Sequence, residues 1–250
     1  MKIHRYTRGS RFAIAVLTVA AGAAHADTFS NDQFETGSEI LWHNSAQLVV
    51  QGFNAAFAST GDLMQIGIPG SAGNSIIFDD PNAVLAYLPA IGPPGILTQD
   101  LLDPTESPSG VYGGETAALT LTVDFNDAGL FKGTSAVPFG DLLLTGLTGD
   151  QAFLNGSSVR KVLSDANIFL GGSYQPAFSY LDFYTTVDDI NNSFNGGPVS
   201  SWADQHLELP SSNLTAAPEI DPASVGTAVT LLVGTLAVLG ERRRRFPVAG

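Results

Sequence analysis

The sequence predicts a single compact α+β domain over residues 27–216, on three observations. Apolar residues recur at three-and-four spacing in several segments, two short β-rich runs flank a Gly/Pro/Asn turn, and two long helical patterns near the C-terminal side are joined by glycines as in a helical hairpin. A chain of 250 residues is long enough for one such core after its two ends are set aside.

The elements follow in order. "SAQLVVQGFNAAFAS" places Leu48, Val49, Phe53, Ala56 and Phe57 on one helical stripe. "LMQIGIPGSAGNSIIF" reads as two short strands around a turn. In "DDPNAVLAYLP", Asp80 is the expected N-cap and Pro81 the first helical residue, so a short helix starts there and stops before Pro89. The Pro- and Gly-crowded "AIGPPGILTQDLLDPTESPSG" is a long ordered loop. In "GGETAALTLTVDFNDAG", Leu119, Leu121, Val123 and Phe125 alternate with Thr120, Thr122 and Asp124, which favours a half-buried strand, with a helix as the second reading.

Two helices close the domain. "SSVRKVLSDANIFLGG" gathers Val159, Val162, Leu163, Ala166, Phe169 and Leu170 on one side and stops at Gly171-Gly172. "SYLDFYTTVDDINNSFNGG" opens with Ser179 and Asp182 in capping-box relation and carries Leu181, Tyr184, Val187, Ile190 and Phe194 on its stripe. "SSWADQHL" repeats the box with Ser201 and Asp204.

Charge excludes one class of partner. Of eleven Lys and Arg, four precede residue 12 and four stand at 242–245, so residues 27–216 keep only Lys132, Arg160 and Lys161 against 21 acids. A surface this acidic repels phosphate backbones, and nucleic-acid binding is excluded. The absence of Cys removes both a disulfide framework and a thiolate metal site.

A search for chemistry yields little. Beyond residue 26 the histidines are His43 and His206, and no HExxH, GxSxG, phosphate-loop or dinucleotide fingerprint occurs. Ser158 to Lys161 matches SxxK, but Ser158 opens a helix and reads as its cap. His206 with Asp204 and Glu208 reads as a solvated helix end before a metal site. Asp124, Asn126 and Gly129 fit positions one, three and six of a calcium loop, but Ala128 and Ser135 occupy positions five and twelve, so the loop fails. Asp79-Asp80 reads as helix capping, and Asp188-Asp189 with Asn191 and Asn192 falls inside a helix. No cofactor or metal is expected. The competing enzymatic reading is a hydrolase acting on polysaccharide through carboxylates such as Glu115 and Asp124, which requires both acids in one cleft about 5–10 Å apart.

The ends carry the firmest signals. Lys2, Arg5, Arg8 and Arg11 precede the apolar run Phe12 to Ala24, and Ala24 and Ala26 supply small residues for signal-peptidase cleavage, so residues 1–26 read as a secretory signal peptide. At the other end Val225 to Gly240 is sixteen residues without a charge, about 24 Å as a helix, which just spans a bilayer if Ala223 and Ser224 join it. Arg242, Arg243, Arg244 and Arg245 follow and would stay cytoplasmic, leaving the acidic domain outside.

Before that run stands Pro218-Glu219-Ile220-Asp221-Pro222. This order of a proline and acid motif, a short apolar helix and a basic cluster over residues 217–250 resembles the PEP-CTERM sorting tail of exosortase substrates in Gram-negative and related bacteria. The usual core is Pro-Glu-Pro, and here the second proline is displaced by two residues. The resemblance implies recognition by an exosortase-type membrane protease, an inner-membrane intermediate held by the C-terminal helix, removal of that helix near the motif, and release or attachment at the cell surface, with exopolysaccharide as a matrix partner. The motif order over Leu63 to Leu207 is also similar to a recurrent module of secreted bacterial surface proteins, which implies a compact extracellular domain and transfers no catalytic residue. Trp42 and Trp202 are the aromatics expected to be exposed to a polysaccharide.

Overall fold

The computed structural model describes residues 29–131, 133–173 and 180–210, together with all side chains there except those of Tyr180 and Asp182. The signal peptide with Ala24 and Ala26, the motif Pro218 to Pro222, the apolar run 225–240 and Arg242 to Arg245 all lie outside the described residues, as does Ser179. Among the described residues no helix is long and apolar enough to cross a membrane.

The α+β class holds. Helices α1 (Glu39–Asn44) and α2 (Ala46–Ala56) come first, and the stripe Leu48, Val49, Phe53, Ala56 and Phe57 faces the core as its spacing dictates. Strands β1 (Met64–Gly67) and β2 (Ser75–Phe78) pair antiparallel, Met64 opposite Phe78 and Gly67 opposite Ser75. Helix α3 (Pro81–Tyr87) is capped by Asp80, whose Oδ1 accepts from Asn82 N at 2.8 Å, and Pro81 stands in its first turn. The expected long loop after it contains one regular piece, β3 (Leu101–Leu102), which runs parallel to β2.

Residues 110–127 overturn the strand reading. They form α4 (Gly110–Asp127), and 15 of its 18 residues are buried. The alternation misleads because the threonines do not face solvent: Thr116 and Thr120 donate their hydroxyls to the carbonyls of Tyr112 and Thr116, both at 2.8 Å. Thr122 Oγ1 accepts from Trp42 Nε1 at 3.2 Å and from Gly37 N at 3.3 Å. A helix enclosed on every side needs no polar stripe, so its period vanishes.

The remaining elements wrap around α4. Two-residue strand β4 (Leu143–Leu144) pairs antiparallel with β5 (Leu207–Glu208). Helix α5 (Val159–Leu170) buries the six residues its spacing selects, and Ser158 Oγ accepts from Lys161 N at 3.1 Å, the cap reading of SxxK. Helix α6 (Tyr180–Asn191) packs on α5, and α4 lies against both, so the expected hairpin is part of a three-helix group. Its stripe differs by one residue: Leu181 is 59% exposed, and Phe183 is buried in its place with Val187, Ile190 and Phe194. For α7 (Ser201–His206) the cap is Ser200, whose Oγ accepts from Ala203 N at 3.0 Å, one position before the expected Ser201. Thr36, from the extended N-terminal segment, donates its hydroxyl to Asn191 O at 2.7 Å and accepts from Phe194 N at 3.0 Å, fastening the end of α6.

Candidate functional site

The chemically unusual place in this fold begins with two glycines. Any Cβ at Gly113 would collide with Tyr87 and Ser109, and any Cβ at Gly114 would collide with the Glu39 carboxylate and lie 2.7 Å from the Ala90 Cβ. The Gly113-Gly114 pair thus lets α1 and the end of α3 come down onto the backbone of α4. Immediately after it stands Glu115.

Glu39 opens α1, where Ser38 Oγ accepts from Leu41 N at 3.3 Å, and its Oε2 accepts from Ala90 N at 2.5 Å. Its carboxyl is hydrogen-bonded to that of Glu115, which also meets Asp188 of α6. Asn191, wholly buried one turn beyond Asp188, donates Nδ2 to Glu115 Oε2 at 2.7 Å and to Glu115 O at 2.9 Å. Asp188 Oδ1 accepts from Asn192 Nδ2 at 2.7 Å. Three carboxyls from three helices therefore meet in one place.

Their electrostatics follow from burial. Glu39 and Glu115 are only 6% and 7% exposed. Burial, with the charges of Glu39 and Asp188 adding to it, pushes the Glu115 carboxyl up to about 9 against the pull of Asn191. Glu39 and Asp188 are also raised, again chiefly by burial, while hydrogen bonds from Ala90 and Glu115 to Glu39, and from Asn192 and Glu115 to Asp188, offset part of the rise. Glu115 is thus the proton donor of the group and Glu39 the acceptor. At this exposure neither carboxyl is open to a substrate in this conformation.

Of the positions singled out in the sequence, Glu115 and Asp188 belong to this group, Asn191 and Asn192 bond to it, and the others fall elsewhere. Glu115 and Asp124 are nine residues apart on one helix, about 13.5 Å along its axis and about half a turn out of phase, so they do not share a cleft as the hydrolase reading requires. Trp42 is 0% exposed, with its ring 4.6 Å from that of Phe131 and 5.2 Å from that of Phe125, so it is a core residue with no face for a polysaccharide. Trp202 is half-buried, and its ring lies tilted against that of His206, centroids 5.3 Å apart. His206 Nδ1 bonds to Thr145 O at 3.1 Å. Asp124 and Asn126 lie within α4, where no calcium loop can form, and Asn126 Nδ2 donates to Glu35 O at 3.1 Å. Asp79 N donates to Asp103 Oδ1 at 3.1 Å beside the capping Asp80. Among the described residues no group of three or more His, Cys, Asp or Glu is arranged to hold a metal ion.

A second acidic group sits at the other end of α4. Arg160 Nη1 and Nη2 grip Asp127 at 2.6 and 3.1 Å, and its Nε and Nη2 each lie 3.4 Å from Asp141 Oδ1. The guanidinium lies over Gly140, where a Cβ would come within 2.7 Å of Nη2. Asp124, raised to about 6 by burial and by Asp127, is partly relieved by Arg160. A cleft of about 260 Å³ opens beside Asp127, lined also by Gln33, Phe34, Asn126 and Ser135.

Sequence reasoning missed the Glu39, Glu115 and Asp188 group. Its one local signal is "GGE", a lone acid behind two glycines at the head of an otherwise uncharged Ala/Leu/Thr run. An acid in such a run has to find its partners on other elements. Compared with known proteins, the chain matches no family model, no curated protein and no solved structure.

Proposed function

We propose that this chain is an exported, exosortase-sorted protein of the bacterial cell surface or extracellular matrix that works without catalysis. One observation carries the reading: Pro218 to Pro222, the apolar run 225–240 and Arg242 to Arg245 follow the folded part in the order of a PEP-CTERM sorting tail, and a signal peptide precedes it. Both ends give one topology, with the acidic domain outside. The fold agrees with a structural role for the residues first weighed for chemistry: Ser158 and Asp80 cap helices, and Glu115 and Asp124 point to opposite sides of α4. Signal peptidase and an exosortase-type membrane protease are its processing partners, and the C-terminal helix holds it at the inner membrane before release.

Intact mass and C-terminal sequencing of the native protein test this directly. The expected product starts after Ala26 and lacks Arg242 to Arg245; mature material that retains the four arginines overturns exosortase handling. Exopolysaccharide is the matrix partner of this reading, and Trp202 is the half-buried aromatic left to meet it. Retention on the organism's own exopolysaccharide, weakened by Trp202→Ala, is the expected result, and an unretained chain removes that partner.

A further inference from the structure

Two carboxyls in hydrogen-bond contact inside a protein need a proton between them, since ionising both would set like charges side by side in a poorly polarisable medium. Glu115 meets that condition with Glu39 on α1, and Asp188 of α6 stands beside the pair, where its charge also bears on Glu115. The groups facing it include no Lys or Arg among the described residues. From α1 comes Glu39, while His43, one turn on, is turned to Leu85 O at 3.0 Å. From α3 comes Tyr87, whose hydroxyl is engaged with Ser107 at 2.9 Å. From α6 come Asp188, Asn191 and Tyr184. Asn191 occupies Glu115 Oε2 as a donor and so leaves Oε1 the better seat for the proton.

The buried Glu39 and Glu115 carboxyls have little room to part by side-chain rotation. Glu39 is pressed against Gly114 and tied to Ala90 N, and the α6 end that carries Asp188 and Asn191 is fastened through Thr36. Repulsion here has to be relieved by moving helices.

We propose that Glu39 and Glu115, with Asp188 beside them, form a proton-held latch: one proton seated on Glu115 fastens α1 to α4, and its loss in alkaline surroundings sets Glu39, Glu115 and Asp188 against one another and lets that side of the domain open. The latch does not depend on how the chain is sorted.

Trp42 is the reporter, being buried on α1 three residues after Glu39 and bonded to Thr122 of α4. The full-length chain in mild detergent, carrying Trp202→Phe so that Trp42 is its one tryptophan, is titrated from about pH 6 to about pH 11. A reversible red shift of emission centred near pH 9 is expected. Glu115→Gln, which supplies a fixed N–H donor to Glu39, removes that transition over the whole range. A wild-type chain without the transition, or a Gln variant with the same one, overturns the latch. Infrared difference spectra keep the test open if the variant does not fold: a protonated-carboxyl carbonyl band present in the wild type at pH 7.5 must vanish together with the emission change. Its absence at pH 7.5 overturns the proposal equally.

Discussion

Toward its N-terminus α4 presents Glu115 to Glu39 and Asp188; toward its C-terminus it presents Asp124 and Asp127, with Asp141 close by. Each end of this helix has three carboxyls gathered about it. At the first end Glu39 and Glu115 are below 10% exposed and a proton neutralises the contact. At the second the Arg160 side chain is 44% exposed and a guanidinium does so. The difference reflects what each neutraliser tolerates. A guanidinium stays charged and needs either water or full pairing, whereas a protonated carboxyl enters the interior as a neutral hydrogen-bonding group. With three cations against 21 acids in residues 27–216, an interior acid has little else to pair with than a proton. Composition therefore reaches into the core, well beyond its effect on solubility.

The comparison is sharpened most by the pH dependence of stability. Glu115 is raised from 4.5 to about 9, so its contribution is fully present below about 4.5 and is lost as pH rises toward 9. Asp124 behaves alike in a narrower window, from 3.8 to about 6. Both signs agree: the fold is more stable in mild acid than in mild alkali. Each group removes up to about 1.4 kcal/mol per pH unit inside its own window, and we expect a loss of about 2–4 kcal/mol between pH 5 and pH 8, read from urea unfolding. Glu115→Gln should flatten this slope above pH 6 and reduce it below, where Asp124 supplies what remains. A wild-type stability that rises from pH 5 to pH 8 would sink the assignment of the proton to Glu115.

How far the sequence foretold this molecule depends on where each element finds its partners. Helix α3 and its cap are legible because Asp80-Pro81 is a local signal, and α5 is legible because one face is solvated and the other buried. Helix α4 is illegible by period because solvent touches almost none of it, and the Leu/Thr alternation then imitates a strand. Trp42 reads as exposed for a related reason: its hydrogen-bond partner Thr122 lies 80 positions away. The acid group is the extreme case. Glu39 and Glu115 stand 76 positions apart, and Asp188 a further 73, so no window of sequence contains two of them. The sorting signals are the reverse, since their order along the chain is itself the information.

The smallest expected effect comes from the exposed end. Arg160→Gln keeps a planar donor group but removes the charge, leaving Asp127 and Asp141 in water that already solvates them. Exposed pairs of this kind contribute modestly even when two-pronged, so the loss should be about 0.5–1 kcal/mol at low salt and smaller at about 1 M NaCl, where screening weakens the native pair. The same substitution takes from Asp124 the one charge that holds its carboxyl down, so Asp124 should titrate above its present value of about 6. Carboxyl-carbon chemical shifts followed through a pH titration would show this as an upward move of the Asp124 midpoint with that of Glu115 unchanged, because Arg160 is absent from the groups that act on Glu115. Movement of both midpoints would mean that the two ends of α4 sense one shared field, and the separation between a proton-neutralised end and a guanidinium-neutralised end would no longer hold.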